Sequence, residues 1–304
     1  MKRDFIHITD FSTEEINEIF ELTAKMKAYV KEGKEYTPLK GKNMAMIFAK
    51  PSARTRISFE TGMSQMGGHA IYLGPNDIGI GKREAVKDIA SVISRYDDLI
   101  MARLFEHAHM LELAKYATVP VINGLTDLNH PCQVMADIFT VFEHRQHLNE
   151  LKVAFIGDGN NVANSWINLA ARIPMHFVLA SPSGYEPDKT ILNNARNVGI
   201  SRIDIIRDPV EAVHDADVIY TDVWASMGQE EEAEQRRRDF MPFQINSELM
   251  KHAKKESLVM HCLPAHRGDE ITDDVIDGPN SIVFDEAENR MHVQKAIIVK
   301  LMLG

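Results

Sequence analysis

The chain has 304 residues, 44% of them hydrophobic and 26% charged, with a formal net charge of −10. That balance suits a globular protein long enough for two domains, and it excludes binding to nucleic acid or anionic lipid through bulk charge. No run of about 18 apolar residues is present to span a bilayer, and the two cysteines, Cys132 and Cys262, provide no disulfide framework.

Near the start, Ser12 with Glu15 three residues later, then Ile16, Ile19 and Phe20 at helical spacing, predict an amphipathic helix over "STEEINEIFELTAKMKAYV". Short apolar runs then alternate with helical patterns: "MAMIFA" (44–49), "AIYLG" (70–74), "LIMARL" (99–104) and "VPVIN" (119–123), with Val86, Ile89, Ala90 and Ile93 marking one intervening helix. The alternation restarts after "HRQHLNELK", with strands predicted at "VAFIGDG" (153–159), "MHFVLASP" (175–182), "RIDII" (202–206), "DVIYTDV" (217–223) and "SLVMHCLP" (257–264). This pattern predicts an α/β fold of two domains, each a central, mainly parallel sheet flanked by helices, divided near residue 148. The charge-rich "QEEEAEQRRRD" (229–239) reads as a solvated loop or helix face. The final "DEAENRMHVQKAIIVKLML" reads as a helix free to pack on either domain.

In open parallel sheets, ligands bind outside the carboxyl ends of strands, where the following helices present unpaired backbone donors. "KPSARTR" (50–56) stands there: a turn at Pro51 and Ser52, a helix beginning near Ala53, two hydroxyls (Ser52, Thr55) and two guanidinium forks (Arg54, Arg56). Those collected donors predict an anion site, best suited to phosphate, which Arg grips bidentately. "NHPCQVMAD" places His130 and Gln133 at the first turn of a helix, where both can donate to a carbonyl oxygen as it becomes an oxyanion; alone, His130 also suits a packing role. "DVWASMG" puts Asp222 and Ser226 in a loop after a strand. "MHCLPAHRG" ends another strand with Cys262, but one cysteine without a second ligand pair argues against structural zinc, and no metal is expected. "FIGDGNNVANS" fails as a dinucleotide fingerprint, because Val162 occupies the third glycine position and the next strand ends without an acid; Asn160 and Asn161 instead open a helix.

Taken in order, "KPSARTR", "NHPCQ", "GDGNN", "DVWASMG", "HCLPAHRG" and "AENRMH" resemble the ornithine carbamoyltransferases over nearly the whole chain. The first string resembles the carbamoyl-phosphate motif of the wider transcarbamylase family, and "SMG" with "HCLP" resembles the ornithine branch. The resemblance implies attack of the neutral δ-amine of L-ornithine on carbamoyl phosphate, through a tetrahedral intermediate, to L-citrulline and phosphate, with no cofactor. It implies a carbamoyl-phosphate domain over 1–148, joined by the helix of 286–304, and an ornithine domain over 149–285. By the same resemblance Ser52, Ala53 (through its backbone), Arg54, Thr55, Arg56, Arg103, His130, Gln133, Cys262, Leu263 and Arg290 bind carbamoyl phosphate, and Arg54, Arg103, His130 and Cys262 carry the catalysis. Asn161, Asp222, Ser226 and Met227 grip ornithine. The residues leave open whether Cys262 is a buried strand-end thiol or a proton partner; direct transfer makes it no covalent nucleophile.

The resemblance further implies a homotrimer or a multiple of trimers, with small molecules rather than nucleic acid or membrane as partners. "MKRDFIHITDFS" lacks the apolar core of a secretory signal, so a cytoplasmic protein is expected, or one of an organelle matrix after loss of a transit peptide. Two departures stand out. Ala53 replaces a hydroxyl residue in the phosphate motif, and Gly79 stands where many relatives have a Gln that reaches a neighbouring subunit's site, with nearby Lys82 read as a solvated lysine before a substitute charge. Alternative readings are a carbamoyltransferase for putrescine or N-acetylornithine, a silent carbamoyl-phosphate-binding relative, and a nucleotide-dependent oxidoreductase.

Overall fold

The computed structural model describes residues 2–81, 83–225 and 232–304. It has the expected α/β architecture, in two compact units: one runs to Ala136 and includes Asn289–Gly304, the other is Asp137–Glu288. The boundary between these compact units falls inside one helix, Pro131–Arg145. Apolar periodicity reveals that such a helix exists, not which of its turns joins which body.

The first unit contains α1 (Thr13–Lys31), β1 (Asn43–Phe48), α2 (Ala53–Gln65), β2 (His69–Leu73), α3 (Pro75–Ile78), α4 (Val86–Ile93), β3 (Leu99–Arg103), α5 (His107–Tyr116), β4 (Val121–Leu125) and the start of α6 (Pro131–Arg145). The capping box predicted at Ser12 and Glu15 opens α1. The strands form a parallel sheet in the order β2-β1-β3-β4, with Phe48 opposite Arg103. Successive connections leave β1 on opposite sides, so the carboxyl ends of β1 and β3 flank the point where strand order reverses, the usual ligand crevice of such sheets. "KPSARTR" and Arg103 therefore emerge side by side. Beneath them Ile47, Ile100 and Val121 pack with Ile89, Ile93, Met110 and Leu113 in one apolar core. The N-terminal segment runs along the far edge, where Phe5 bridges to Ile122.

The second unit contains the rest of α6, β5 (Lys152–Ile156), α7 (Asn161–Ala170), β6 (His176–Ala180), α8 (Lys189–Val198), β7 (Arg202–Ile206), α9 (Pro209–Val213), β8 (Val218–Thr221), α10 (Ala233–Phe240), α11 (Ser247–Met250), β9 (Leu258–His261), α12 (Asp273–Ile276) and the start of α13 (Val283–Leu303), whose remainder belongs to the first unit. Its parallel sheet has the order β7-β6-β5-β8-β9, which reverses between β5 and β8. The loops carrying "GDGNN" and Asp222 leave those two strands. Trp166 packs edge-on to Tyr220 at 5.6 Å between centroids and stacks near Phe177, which fixes α7 on the sheet.

The second glycine of "GDGNN", Gly159, lets the chain pass close to the backbone of residues 185–187. Gly159 donates its N–H to the Tyr185 carbonyl at 2.9 Å, and a Cβ there would lie 2.4 Å from Pro187 N and 2.6 Å from Tyr185 O. Both obstacles are backbone, which cannot step aside as a side-chain tip can. Gly159→Ala is accordingly expected to destabilise the protein by about 1–3 kcal/mol, read as a fall of several degrees in Tm by calorimetry; an unchanged Tm would show that the loop yields freely.

Candidate active site

In the first unit, Ser52 caps α2: its Oγ accepts the Thr55 N–H at 3.4 Å and donates to Thr55 Oγ1 at 3.1 Å. The same Thr55 oxygen accepts from the guanidinium of Arg103 at 3.1 Å and from that of Arg290 at 3.0 Å. Arg103 comes from the end of β3 and Arg290 from α13, and both are at least nine-tenths buried. A hydroxyl with two lone pairs is a poor terminus for three donors, two of them cationic. The arrangement calls for an anion with several oxygens, and the first backbone N–H groups of α2 point to the same end of the helix.

His130 directly precedes α6 and Gln133 lies in its first turn; both are buried. Burial pushes the His130 imidazole well below its ordinary pKa, and the positive charges of Arg290 and Arg103 push it the same way. The ring is therefore neutral at pH 7 and presents one N–H donor. The structure thus brings Ser52, Thr55, Arg103 and Arg290 onto one oxygen, with His130 in their field. Arg54 and Arg56 sit exposed in the first turn of α2, beside the opening residue Ala53. The Arg56 guanidinium lies over Tyr72 at 4.0 Å and pairs with Glu60 at 2.9 Å.

In the second unit, Asp222 follows β8 and accepts from three groups: Asn160 Nδ2 at 2.8 Å, the Val223 N–H at 2.8 Å and the Cys262 thiol at 3.0 Å. Asn160 also caps α7, its Oδ1 accepting the N–H groups of Val162 and Ala163, so the polar helix opening expected in place of a dinucleotide fingerprint is present. Asn161 is the first residue of that helix. Burial raises the Cys262 thiol well above its ordinary pKa, and neighbouring Asp222 raises it further. Cys262 is a protonated donor, which does not suit a thiolate nucleophile.

Asp222, His261 and Cys262 offer three ligand-type atoms within 4.8 Å of one another. Both nitrogens of the His261 ring are nevertheless engaged: Nδ1 accepts the Leu263 N–H at 2.9 Å, and Nε2 faces Glu270 at 3.0 Å. The donor set is spent on holding the loop and does not fit a metal. Leu263 itself has φ +55°, an uncommon left-handed conformation for a branched residue. Cys262 and Leu263 belong to the second unit, whereas the other residues expected to bind carbamoyl phosphate belong to the first.

Residues 3–143 match the carbamoyl-P binding domain of aspartate/ornithine carbamoyltransferases, and residues 149–301 match their Asp/Orn binding domain. The chain belongs to the aspartate/ornithine carbamoyltransferase family. It is 56% identical to the chloroplastic ornithine carbamoyltransferase of Pisum sativum, over 99% of this chain and 80% of that protein. It is 53% identical to the ornithine carbamoyltransferase of Thermococcus kodakarensis, over 99% of this chain and 97% of the relative. Among solved structures, the ornithine carbamoyltransferase of Pyrococcus furiosus superposes with a TM-score of 0.95 at 52% identity, covering 100% of this chain and 98% of that one.

Ser226 and Met227 lie outside the described residues, as does Lys82. Gly79 ends α3 with φ +55°, and a Cβ there would meet Arg83 Cβ at 2.8 Å, so the local backbone demands glycine. The charge-rich segment is not wholly solvated. Arg236, on α10, is 4% exposed, pairs with Asp158 and donates to the Trp224 carbonyl, with its guanidinium 4.8 Å from the centre of the Tyr185 ring. Burial lifts Asp158 to about 6 while Arg236 pulls it down. Arg236 and Phe240, at i and i+4, form one buried face of α10.

Sequence reading also missed a buried carboxyl pair. Glu286 hydrogen-bonds Asp137, accepts the His261 N–H at 3.0 Å and faces the Tyr220 hydroxyl at 3.4 Å. Burial and then Asp137 raise Glu286 well above the usual carboxyl range, which holds a proton between the two acids. The folded chain then keeps a proton that the unfolded chain releases near pH ~4.3. Stability from this pair is complete below that pH and is lost as pH rises through the folded value. Glu286→Gln keeps the protonated geometry without titrating. Its Tm is expected to fall less than that of the native protein as pH rises above about 4.3, every other group titrating alike in the two proteins; parallel curves would place no shared proton at Glu286.

Proposed function

We infer that the protein transfers the carbamoyl group of carbamoyl phosphate to the δ-amine of L-ornithine, giving L-citrulline and phosphate. One observation carries the site assignment: the convergence of Ser52, Arg103 and Arg290 on the Thr55 hydroxyl. On this reading a phosphate group takes the donors that Thr55 now shares, with Arg54, Arg56 and the N–H groups opening α2, including that of Ala53, supplying the remainder. Arg103, neutral His130 and the Gln133 amide donate to the carbonyl oxygen.

The neutral amine attacks the carbonyl carbon and forms the new C–N bond. Negative charge collects on the former carbonyl oxygen, where fixed donors stabilise it without reorganising. The intermediate collapses as the bond from carbon to the bridging oxygen breaks, phosphate departs with the electron pair, and the nitrogen loses its proton. A free alkyl amine resembles Lys, with a pKa of about 10.4, so the site must favour the deprotonated nucleophile; the surrounding arginines act in that direction.

For ornithine, Asp222 is assigned as the counter-ion of the α-ammonium, and Asn161, Ser226 and Met227 are assigned to the same substrate. The thiol, carbonyl and amide groups of Cys262 and Leu263 are assigned to the reacting amine and carbamoyl group. The reaction requires no redox step, and the assigned cationic donors supply the electrophilic assistance, so no cofactor is invoked. The domain roles we propose are carbamoyl-phosphate binding for the first unit and ornithine binding for the second; the proposed assembly is a homotrimer or a multiple of trimers in the cytoplasm.

An assay of purified protein with carbamoyl phosphate and, in parallel, L-ornithine, putrescine, N-acetyl-L-ornithine and L-aspartate tests the reaction. Product from ornithine alone is expected; comparable product from N-acetyl-L-ornithine, whose α-nitrogen carries no charge, would remove the role of Asp222, whereas product from putrescine, which lacks only the α-carboxylate, would remove recognition of that carboxylate. Asp222→Asn, which keeps the acceptor for Cys262 and loses the charge, is expected to raise the KM for ornithine roughly tenfold or more and to leave the KM for carbamoyl phosphate unchanged. Equal changes in both would make Asp222 structural.

A further inference from the structure

A second polar cluster in the first unit lies where the N-terminal segment meets the turn before α6. His7 and His107 face each other with their Nε2 atoms 3.2 Å apart. His7 Nδ1 lies 2.6 Å from Asn129 Nδ2, and His107 Nδ1 lies 2.9 Å from Thr126 Oγ1. Thr126 Oγ1 in turn donates to Asn129 Oδ1 at 3.4 Å.

The direction of every bond follows from the asparagine. Asn129 Oδ1 accepts from Asn123 Nδ2, while Asn129 Nδ2 donates to the Ile6 carbonyl at 3.2 Å, which fixes the orientation of the amide. An amide nitrogen only donates, so His7 Nδ1 is the acceptor and the His7 proton sits on Nε2. His107 Nε2 must accept that proton's bond, which puts the His107 proton on Nδ1, aimed at Thr126. The threonine proton then closes a ring of four side chains on Asn129, the residue before His130. Thr126 and Asn129 are fully buried, and their backbones are tied by the Thr126 N–H to the Asn129 carbonyl at 2.9 Å.

We propose that His7 and His107 are positioning residues for carbamoyl transfer: as a neutral, tautomer-matched pair they hold the Thr126–Asn129 turn that presents His130 to the carbamoyl group. The proposal rests on the reading of His130 as a carbonyl donor. It gives the N-terminal segment a function beyond bridging the sheet edge, since Ile6 and His7 both reach Asn129. Protonation of either ring sets two N–H groups against each other and opens the ring. Burial opposes that protonation at both histidines, and holds His107 near 4 together with the charge of His7, while Asp10 and Asp127 favour it.

Two measurements on the full chain test this. In protein labelled with 15N at histidine, long-range proton–nitrogen spectra at pH 7 are expected to show His7 as the Nε2–H tautomer and His107 as the Nδ1–H tautomer, both changing together on acidification. The same tautomer at both rings, or independent titration near pH ~6.5, would overturn the ring. In kinetics, His107→Phe is expected to raise the KM for carbamoyl phosphate roughly tenfold with the KM for ornithine unchanged, and His7→Gln added to it is expected to have no further effect. Additive losses, equal shifts in both KM values or native kinetics would overturn the positioning role. The spectra decide the ring even if His107→Phe fails to fold. A native protein making no citrulline would overturn the functional reading and the positioning role built on it, while the spectra would still decide the ring.

Discussion

Two guanidinium groups directed at one threonine hydroxyl repel each other, and the first unit is organised to hold them there. Neither arginine is local to Thr55: one ends β3, the other arrives some 230 positions later on α13, and Thr55 itself needs the Ser52 cap to start its helix there. Parallel pairing sets Phe48 opposite Arg103, so the register of β1 and β3 decides how far the "KPSARTR" loop and Arg103 are apart. On the proposed reading, an arriving anion takes these donors, and one carrying several oxygens can satisfy more of them than a single acceptor can.

Charge control in the rest of the molecule complements this concentration of positive charge. His130 and Cys262 are kept neutral by burial, the first reinforced by arginines and the second by Asp222. A neutral imidazole donates one N–H without adding a further cation, and a neutral thiol donates to Asp222 without competing as a nucleophile. Under the second unit's loop, Glu286 and Asp137 hold a proton and brace the His261 backbone, while Glu270 holds the His261 ring. His261, which directly precedes Cys262, is thus held in place by groups with no assigned substrate contact.

Much of this was legible in the sequence because the signals were local. Strand runs, the Ser12 cap, the helix opening at Asn160 and the donors of "KPSARTR" are each contained in a few residues, and parallel sheets place loop chemistry at strand ends. What was not legible came from distance. Nothing near Arg236 says that its charge is buried against Asp158, 78 residues away; nothing near Asp137 announces Glu286; and the pairing of His7 with His107 depends on the N-terminal segment lying along β4. The division inside α6 and the glycine demanded at Gly79 were hidden for a related reason, since periodicity reports a helix but neither the body it joins nor the φ of the residue that ends it.

The account stands on the cation cluster around Thr55 being an oxyanion-binding site. Isothermal titration of inorganic phosphate, the reaction product, into the native protein and into Arg103→Gln addresses it without depending on turnover. One charge-assisted hydrogen-bonding group is worth about 1.5–3 kcal/mol, so the account predicts phosphate affinity at least about tenfold weaker in the variant, with calorimetric unfolding otherwise intact. Equal affinity in the two proteins would contradict it, and would leave Arg103 and Arg290 as structural cations bound to a hydroxyl.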